Sequence, residues 1–216
     1  MAGKPTTLMC GGFWASSSPL PLCAPIRSCT YATSTFWVGY AGLAGADRIL
    51  DGIFPYGHMP SDIKPGDTYG PLNYLLYAPL IWLFGWSGHW DYLPAANVLT
   101  ELAFVGGALT MLYAGWRYAV ARGGARLLFA SAVFPCTLYA TNLNSNDIIV
   151  AAVAAIGLAT ATSPLARGAA VSAGFAIKLF PLILAPLWML HDFSRQRIGP
   201  LLKFILGGAV VLLLSF

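Results

Sequence analysis

Charge is what this sequence has least of. Only 9% of its 216 residues are charged while 57% are hydrophobic, and the mean hydropathy is +0.68. An ordinary soluble domain carries about 25% charged residues. A soluble fold of this size has too little interior to hide so much apolar surface. Acidic residues are scarcest of all, at eight, and the net charge of +4 is spread along the chain without a basic cluster. That spread excludes a nucleic-acid-binding role and makes the positive charge a matter of topology. Cysteine is also sparse. Cys10, Cys23, Cys29 and Cys136 have no metal-ligand spacing, so no metal centre is expected. His58, in Y-G-H-M-P, has no second ligand at metal spacing either.

What the sequence does have is apolar runs. Hydrocarbon accepts them at no cost, provided every backbone amide is satisfied within the protein. The runs are continuous, without the alternation of a barrel strand, so helices are expected. The expected fold is an all-α, polytopic bundle of membrane helices in the cell membrane. Residues 1–35 read as an irregular segment with no run near the roughly 20 residues of a span. Residues 36–94 read as an external loop with an interfacial helix, and 95–216 as transmembrane helices. Within 36–68, Gly, Asp and Pro punctuate a mixed segment holding four of the eight acidic residues. Residues 69–86 carry Pro71 and Pro79, and Trp82, Trp86, Trp90 and Tyr92 crowd around them as at a headgroup belt. Spans are expected at 95–116, 126–141, 148–162, 168–190 and 201–216. The last stops while still apolar, as a fragment would.

Orientation follows from the basic residues. Arg117, Arg122 and Arg126 mark one loop as cytoplasmic, which makes 141–147 external and returns Arg167 to the cytoplasm. The segment 36–94 is then external if 69–86 lies in the interface, and the prolines and aromatic belt favour that. Residues 168–190 pose a conflict. Arg167 precedes them and Arg195, Arg197 and Lys203 follow, so both ends belong on one side. Two crossings need roughly 40 residues. A broken pair of short helices turning near Lys178–Pro181 meets both demands, and one span that violates the charge rule is the alternative.

Few residues carry chemistry. Lys178 lies in an apolar run, where a cation costs roughly 2.5–3.5 kcal/mol unless paired or solvated. It reads as a phosphate contact or as a snorkelling lysine. Asn146 or Asp147 is expected to cap the helix that follows, and a helix start also attracts anions. Asp47, Asp51, Asp62 and Asp67 are candidates for a general base, although D-G at 51–52 and P-G-D at 65–67 are ordinary turn signals. Glu101 stands inside a span.

Three stretches carry a resemblance: VGYAGLAGADRILDGIFPYGHMP at 38–60, TYGPLNYLLYAPL at 68–80, and NSNDIIVAAVAAIGLATATSPLARGAAVSAGFAIKLFPLILAPL at 144–187. In order and spacing they resemble the polyprenol-phosphate-mannose-dependent mannosyltransferase-like family of the C-type membrane glycosyltransferase fold. The resemblance implies an inverting, cell-envelope transferase that needs no cofactor. Its donor is a polyprenyl-phosphate-linked sugar and its acceptor a lipid or glycan. It implies Lys178 as the contact to the donor phosphate. Asn146, Asp147, Tyr56, His58 and Tyr69 are the other candidate substrate contacts, and Asp47 and Asp51 are catalytic candidates as substitutes for the family's acid, not as matches to it.

The departures are specific. The family's catalytic Asp is expected ahead of V-G-Y-A-G, after a first span, but TSTFWVGYAG has no acid and none occurs before Asp47. The N-terminal 35 residues look replaced, and the C-terminus stops short of the family's helix complement. Two other readings compete. The broken helix at 168–190 suggests a secondary transporter, which needs an inverted repeat. The missing acid suggests a non-catalytic membrane subunit or an inactive fragment.

Overall fold

A computed structural model describes residues 37–63, 66–90, 92–118, 121–191 and 198–216. All of them fall in one unit spanning residues 33–216. The expectations for residues 1–35 and for Arg195 and Arg197 lie outside the described residues.

Among the described residues the chain is all-helical. It runs through α1 (Trp37–Leu50), α2 (Pro71–Phe84), α3 (Pro94–Tyr118), α4 (Ala121–Val133), α5 (Pro135–Asn142), α6 (Asp147–Ala159), α7 (Pro164–Ile177), α8 (Ala185–Leu190) and α9 (Gly199–Ser215). Short 3₁₀ turns occupy Gly66–Thr68 and Phe180–Leu184. Proline starts several of these helices, where its missing N–H costs nothing.

The first finding the sequence did not announce is α1. Gly39, Gly42 and Gly45 read as punctuation in a mixed segment, yet they lie within a helix. Their role is close packing. A Cβ on Gly42 would lie 2.4 Å from the Tyr77 ring, and one on Gly45 would lie 2.2 Å from that of Tyr74. The helix-propensity loss of roughly 1 kcal/mol per glycine is offset by burying two tyrosines completely.

Among the described residues one helix, α3, is long and apolar enough to cross a membrane. At 1.5 Å per residue its 25 residues extend about 37 Å. Only 17% of its most apolar window is buried. Leu102, Val105, Leu109, Tyr113 and Trp116 form an exposed apolar stripe at helical spacing. A core helix of a soluble protein would bury that stripe. Glu101 is also exposed on α3.

α3 and α6 run parallel. Asn144 Nδ2 donates to Asn97 Oδ1 at 2.8 Å at one end, and the Tyr118 hydroxyl donates to the Ala159 carbonyl at 3.0 Å at the other. α4 and α5 together return between them, broken at Phe134–Pro135.

The segment 168–190 resolves as a hairpin. α7 ends at Ile177, Lys178 adopts extended backbone, and the chain turns through Phe180–Leu184 into α8. Arg167 Nε, in the first turn of α7, donates to the Trp188 carbonyl at 3.1 Å. Both ends of the segment therefore meet, as a broken pair requires, and a single continuous span is excluded. Arg167 itself departs from expectation. It is no loop charge but is buried at 2% exposure, and it also donates to the Ala161 carbonyl.

Candidate functional site

The polar groups gather where the turn at Lys178 meets the start of α6. Lys178 Nζ lies 2.5 Å from Asp147 Oδ1. Both side chains are partly open, at 34% and 58% exposure. Ser145 holds the other side of the carboxylate: its hydroxyl donates to Asp147 Oδ2 at 2.9 Å and accepts from the Asp147 amide at 3.3 Å. The capping expectation is corrected here. Asn146 occupies the cap position but makes no side-chain cap bond, and the Ser145 hydroxyl satisfies the first amide instead. Asn146 instead turns its amide into the core, where it is fully buried and bonded to Asn73.

Beneath the pair lies a buried amide contact. Asn146 Nδ2 donates to Asn73 Oδ1 of α2 at 3.3 Å. Asn73 Nδ2, Asn146 Oδ1 and the Tyr77 hydroxyl, all fully buried, have no hydrogen-bond partner among the described residues. The signal for Asn73 was present in the sequence as a lone amide inside an apolar run, but no motif marked its partner.

Tyr69 closes another side. The Gly70 amide donates to the Ile177 carbonyl at 3.0 Å, next to Lys178. Gly70 is needed there, because a Cβ would lie 2.1 Å from the Ala176 carbonyl oxygen. Tyr69 is buried, and that burial raises its pKa, with the nearby Asp147 carboxylate adding to the shift. Tyr56 supports it from behind, donating its hydroxyl to the Tyr69 carbonyl at 2.8 Å. Burial, and then Asp67, raise the Tyr56 pKa. The Gly57 amide donates to Asp67 Oδ1 at 3.0 Å, so Asp67 serves the loop. Asp62 accepts from the Tyr40 hydroxyl at 3.4 Å.

Three expected site residues stand apart. His58 is exposed, with Nδ1 3.2 Å from the Tyr56 carbonyl oxygen, and it makes a local turn contact. Asp47 is near the end of α1 and Asp51 is in the turn after it. The Asp51 amide donates to the Asp47 carbonyl at 3.0 Å. Among the described residues no hydrogen bond or ion pair connects either aspartate to Lys178. Partial burial raises the Asp47 pKa, Asp51 adds to it, and Arg48 opposes it. The described residues contain no cluster of three metal-ligating side chains.

Chemically, the site offers one cation and one carboxylate in contact at the end of a helical hairpin, bordered by a tyrosine. Such a set has the chemistry to hold a phosphate at the cation and to accept a proton at the carboxylate. Comparison with protein-family models, curated proteins and solved structures finds no match to this chain.

Proposed function

We propose that this chain is part or all of a multi-pass membrane glycosyltransferase whose donor is a polyprenyl-phosphate-linked, mannose-like sugar. The observation that carries the reading is the contact of Lys178 with Asp147 at the break of the α7–α8 hairpin. Broken helices at membrane depth persist only where protein or an aqueous cavity surrounds the break. A paired cation at such a break is a functional feature by default.

Multi-pass insertion is supported by the exposed apolar surface. It continues from the stripe on α3 to Leu179, Ile183 and Leu187 around the hairpin, and to Leu213 and Leu214 of α9 at 80% and 79% exposure. The charge pattern agrees. The end of α3 that carries Arg117 meets the far end of α6, opposite the end that carries Asp147 and Lys178. The site then opens on the external face, with α1 and α2 seated over the 144–146 loop.

In the reaction, an acceptor hydroxyl oxygen attacks the anomeric carbon. The bond from that carbon to the phosphate oxygen breaks, and the lipid phosphate leaves with the electron pair. Lys178 offsets charge gathering on the departing phosphate. Asp147 takes the hydroxyl proton, the role that chain order alone gave to Asp47 and Asp51. The incoming phosphate competes with Asp147 for Lys178 and so releases the carboxylate for this work.

The test is sugar transfer by the purified chain from radiolabelled polyprenyl phosphomannose to an endogenous lipid extract. Lys178→Ala should lower the rate at least a hundredfold, the scale of losing one stabilising donor in the transition state. A rate equal to wild type would remove Lys178 from the mechanism.

A further inference from the structure

Three buried polar groups meet in the core where α1, α2 and the loop before α6 come together. Asn73, Tyr77 and Asn146 are each 0% exposed. The two amides touch through Asn146 Nδ2 and Asn73 Oδ1. Their other ends, Asn73 Nδ2 and Asn146 Oδ1, have no hydrogen-bond partner among the described residues, and neither has the Tyr77 hydroxyl. Asn73 and Tyr77 stand four residues apart on α2 and so share a face. A long side chain on a helix lies over the turn before its own Cα, which brings the Tyr77 hydroxyl back toward Asn73.

Helix α1 makes room for this arrangement. A Cβ on Gly39 would lie 2.9 Å from Cβ of Asn144, and one on Gly42 would lie 2.4 Å from the Tyr77 ring. Glycines one turn apart thus admit both the loop and the ring. The core around Tyr77 includes Leu43, Ala96, Ile149 and Ile177, whose side chains offer no hydrogen bond. A buried polar group without a partner costs more than an ordinary hydrogen bond returns. Native interiors leave few such groups, so three on neighbouring side chains point to one shared ligand.

The donor set selects that ligand. One atom donates, one accepts, and the hydroxyl does either. A cation would face the hydrogens of Nδ2, and an anion would face Oδ1. Exchanging oxygen and nitrogen in both amides leaves one donor and one acceptor again. The ligand must therefore be neutral and must both donate and accept. With all three side chains sealed from solvent, it must also be small. Water meets these conditions, and three partners is its usual complement in a protein interior.

We propose that one internal water molecule binds Asn73, Asn146 and Tyr77. It accepts from Asn73 Nδ2, donates to Asn146 Oδ1 and makes its third hydrogen bond with the Tyr77 hydroxyl. It thereby ties α2 to the loop that leads into Asp147, and it does so whether or not Lys178 binds a phosphate.

Two measurements on the full chain in detergent test the site. Tyr77→Phe deletes only the hydroxyl. With the water in place the variant removes one of its partners, and the thermal midpoint should fall by about 2–4 °C. A hydroxyl buried with no partner at all would be a penalty, and deleting it would raise the midpoint. An unchanged or raised midpoint therefore overturns the site. Radiolytic footprinting reads the wild-type chain directly, because a hydroxyl radical formed from a bound water oxidises the side chain beside it. Tyr74 is the internal reference, since it is also 0% exposed but donates its hydroxyl to the Gly66 carbonyl. Tyr77 should be oxidised several-fold faster than Tyr74 at the same dose. Equal or slower oxidation of Tyr77 would overturn the site as well.

Discussion

Lys178 and Asp147 are separated by 31 positions in the sequence and by 2.5 Å in the fold. The contact joins the residue just after one helix to the first turn of another. On the proposed reading it serves recognition more than stability. With both side chains partly exposed, the pair contributes about 0–1 kcal/mol. Lys178→Ala should therefore shift the thermal midpoint in detergent by only a few degrees, while abolishing transfer. A large loss of stability would make the pair a structural element and remove the functional argument.

Arg167 has the opposite character. Buried at 2% exposure, it donates to the carbonyls of Trp188 and Ala161. Arg167→Ala leaves those acceptors without their charged donor and should cost about 2–3 kcal/mol. Arg167→Lys should recover only part of it, since lysine lacks the planar fork. Limited proteolysis reads the effect directly, because an untethered hairpin should be cut within 178–184 faster than the wild type.

The two ends of the bundle should face opposite sides of a membrane. On a background with all four cysteines replaced, Asn142→Cys, at an exposed position, should react with a membrane-impermeant maleimide in intact cells. Thr162→Cys should react only after permeabilisation. Equal labelling of both positions in intact cells would contradict the orientation read from Arg117, Arg122 and Arg126.

Much of this was legible in the sequence, and the exceptions have physical causes. The length of the apolar run at 95–116 announced α3, whereas charge at both ends of 168–190 left a broken pair and a single span as alternatives between which the fold decides. α1 was hidden because glycines at every third position look like breakers until the tyrosines that need the space are seen. Arg167 resembled a loop charge because sequence does not reveal which carbonyls return to meet it. The base candidates were chosen among Asp47 and Asp51 by order along the chain. Only the fold places Asp147 against Lys178, and only the fold shows the Ser145 hydroxyl accepting from the amide that the Asn146 side chain leaves.

Asp47 gives a pH signature of its own. Its carboxyl titrates above its ordinary value of 3.8, first through burial and then through Asp51. A raised carboxyl pKa means that the fold binds the proton more tightly than the unfolded chain does. The stability this provides is full below pH 3.8 and is lost as pH rises through the higher folded value. Asp47→Asn should remove that decline, so the variant's thermal midpoint falls less than that of wild type between acidic and neutral pH. Parallel curves would contradict the shift.

The most direct test of the account compares transfer by Asp147→Asn and Asp47→Asn, each with polyprenyl phosphomannose as donor. If Asp147 receives the acceptor proton beside Lys178, Asp147→Asn loses at least a hundredfold in rate, while Asp47→Asn stays within a few-fold of wild type. The reverse outcome, an active Asp147→Asn and an inactive Asp47→Asn, would contradict the account at its centre.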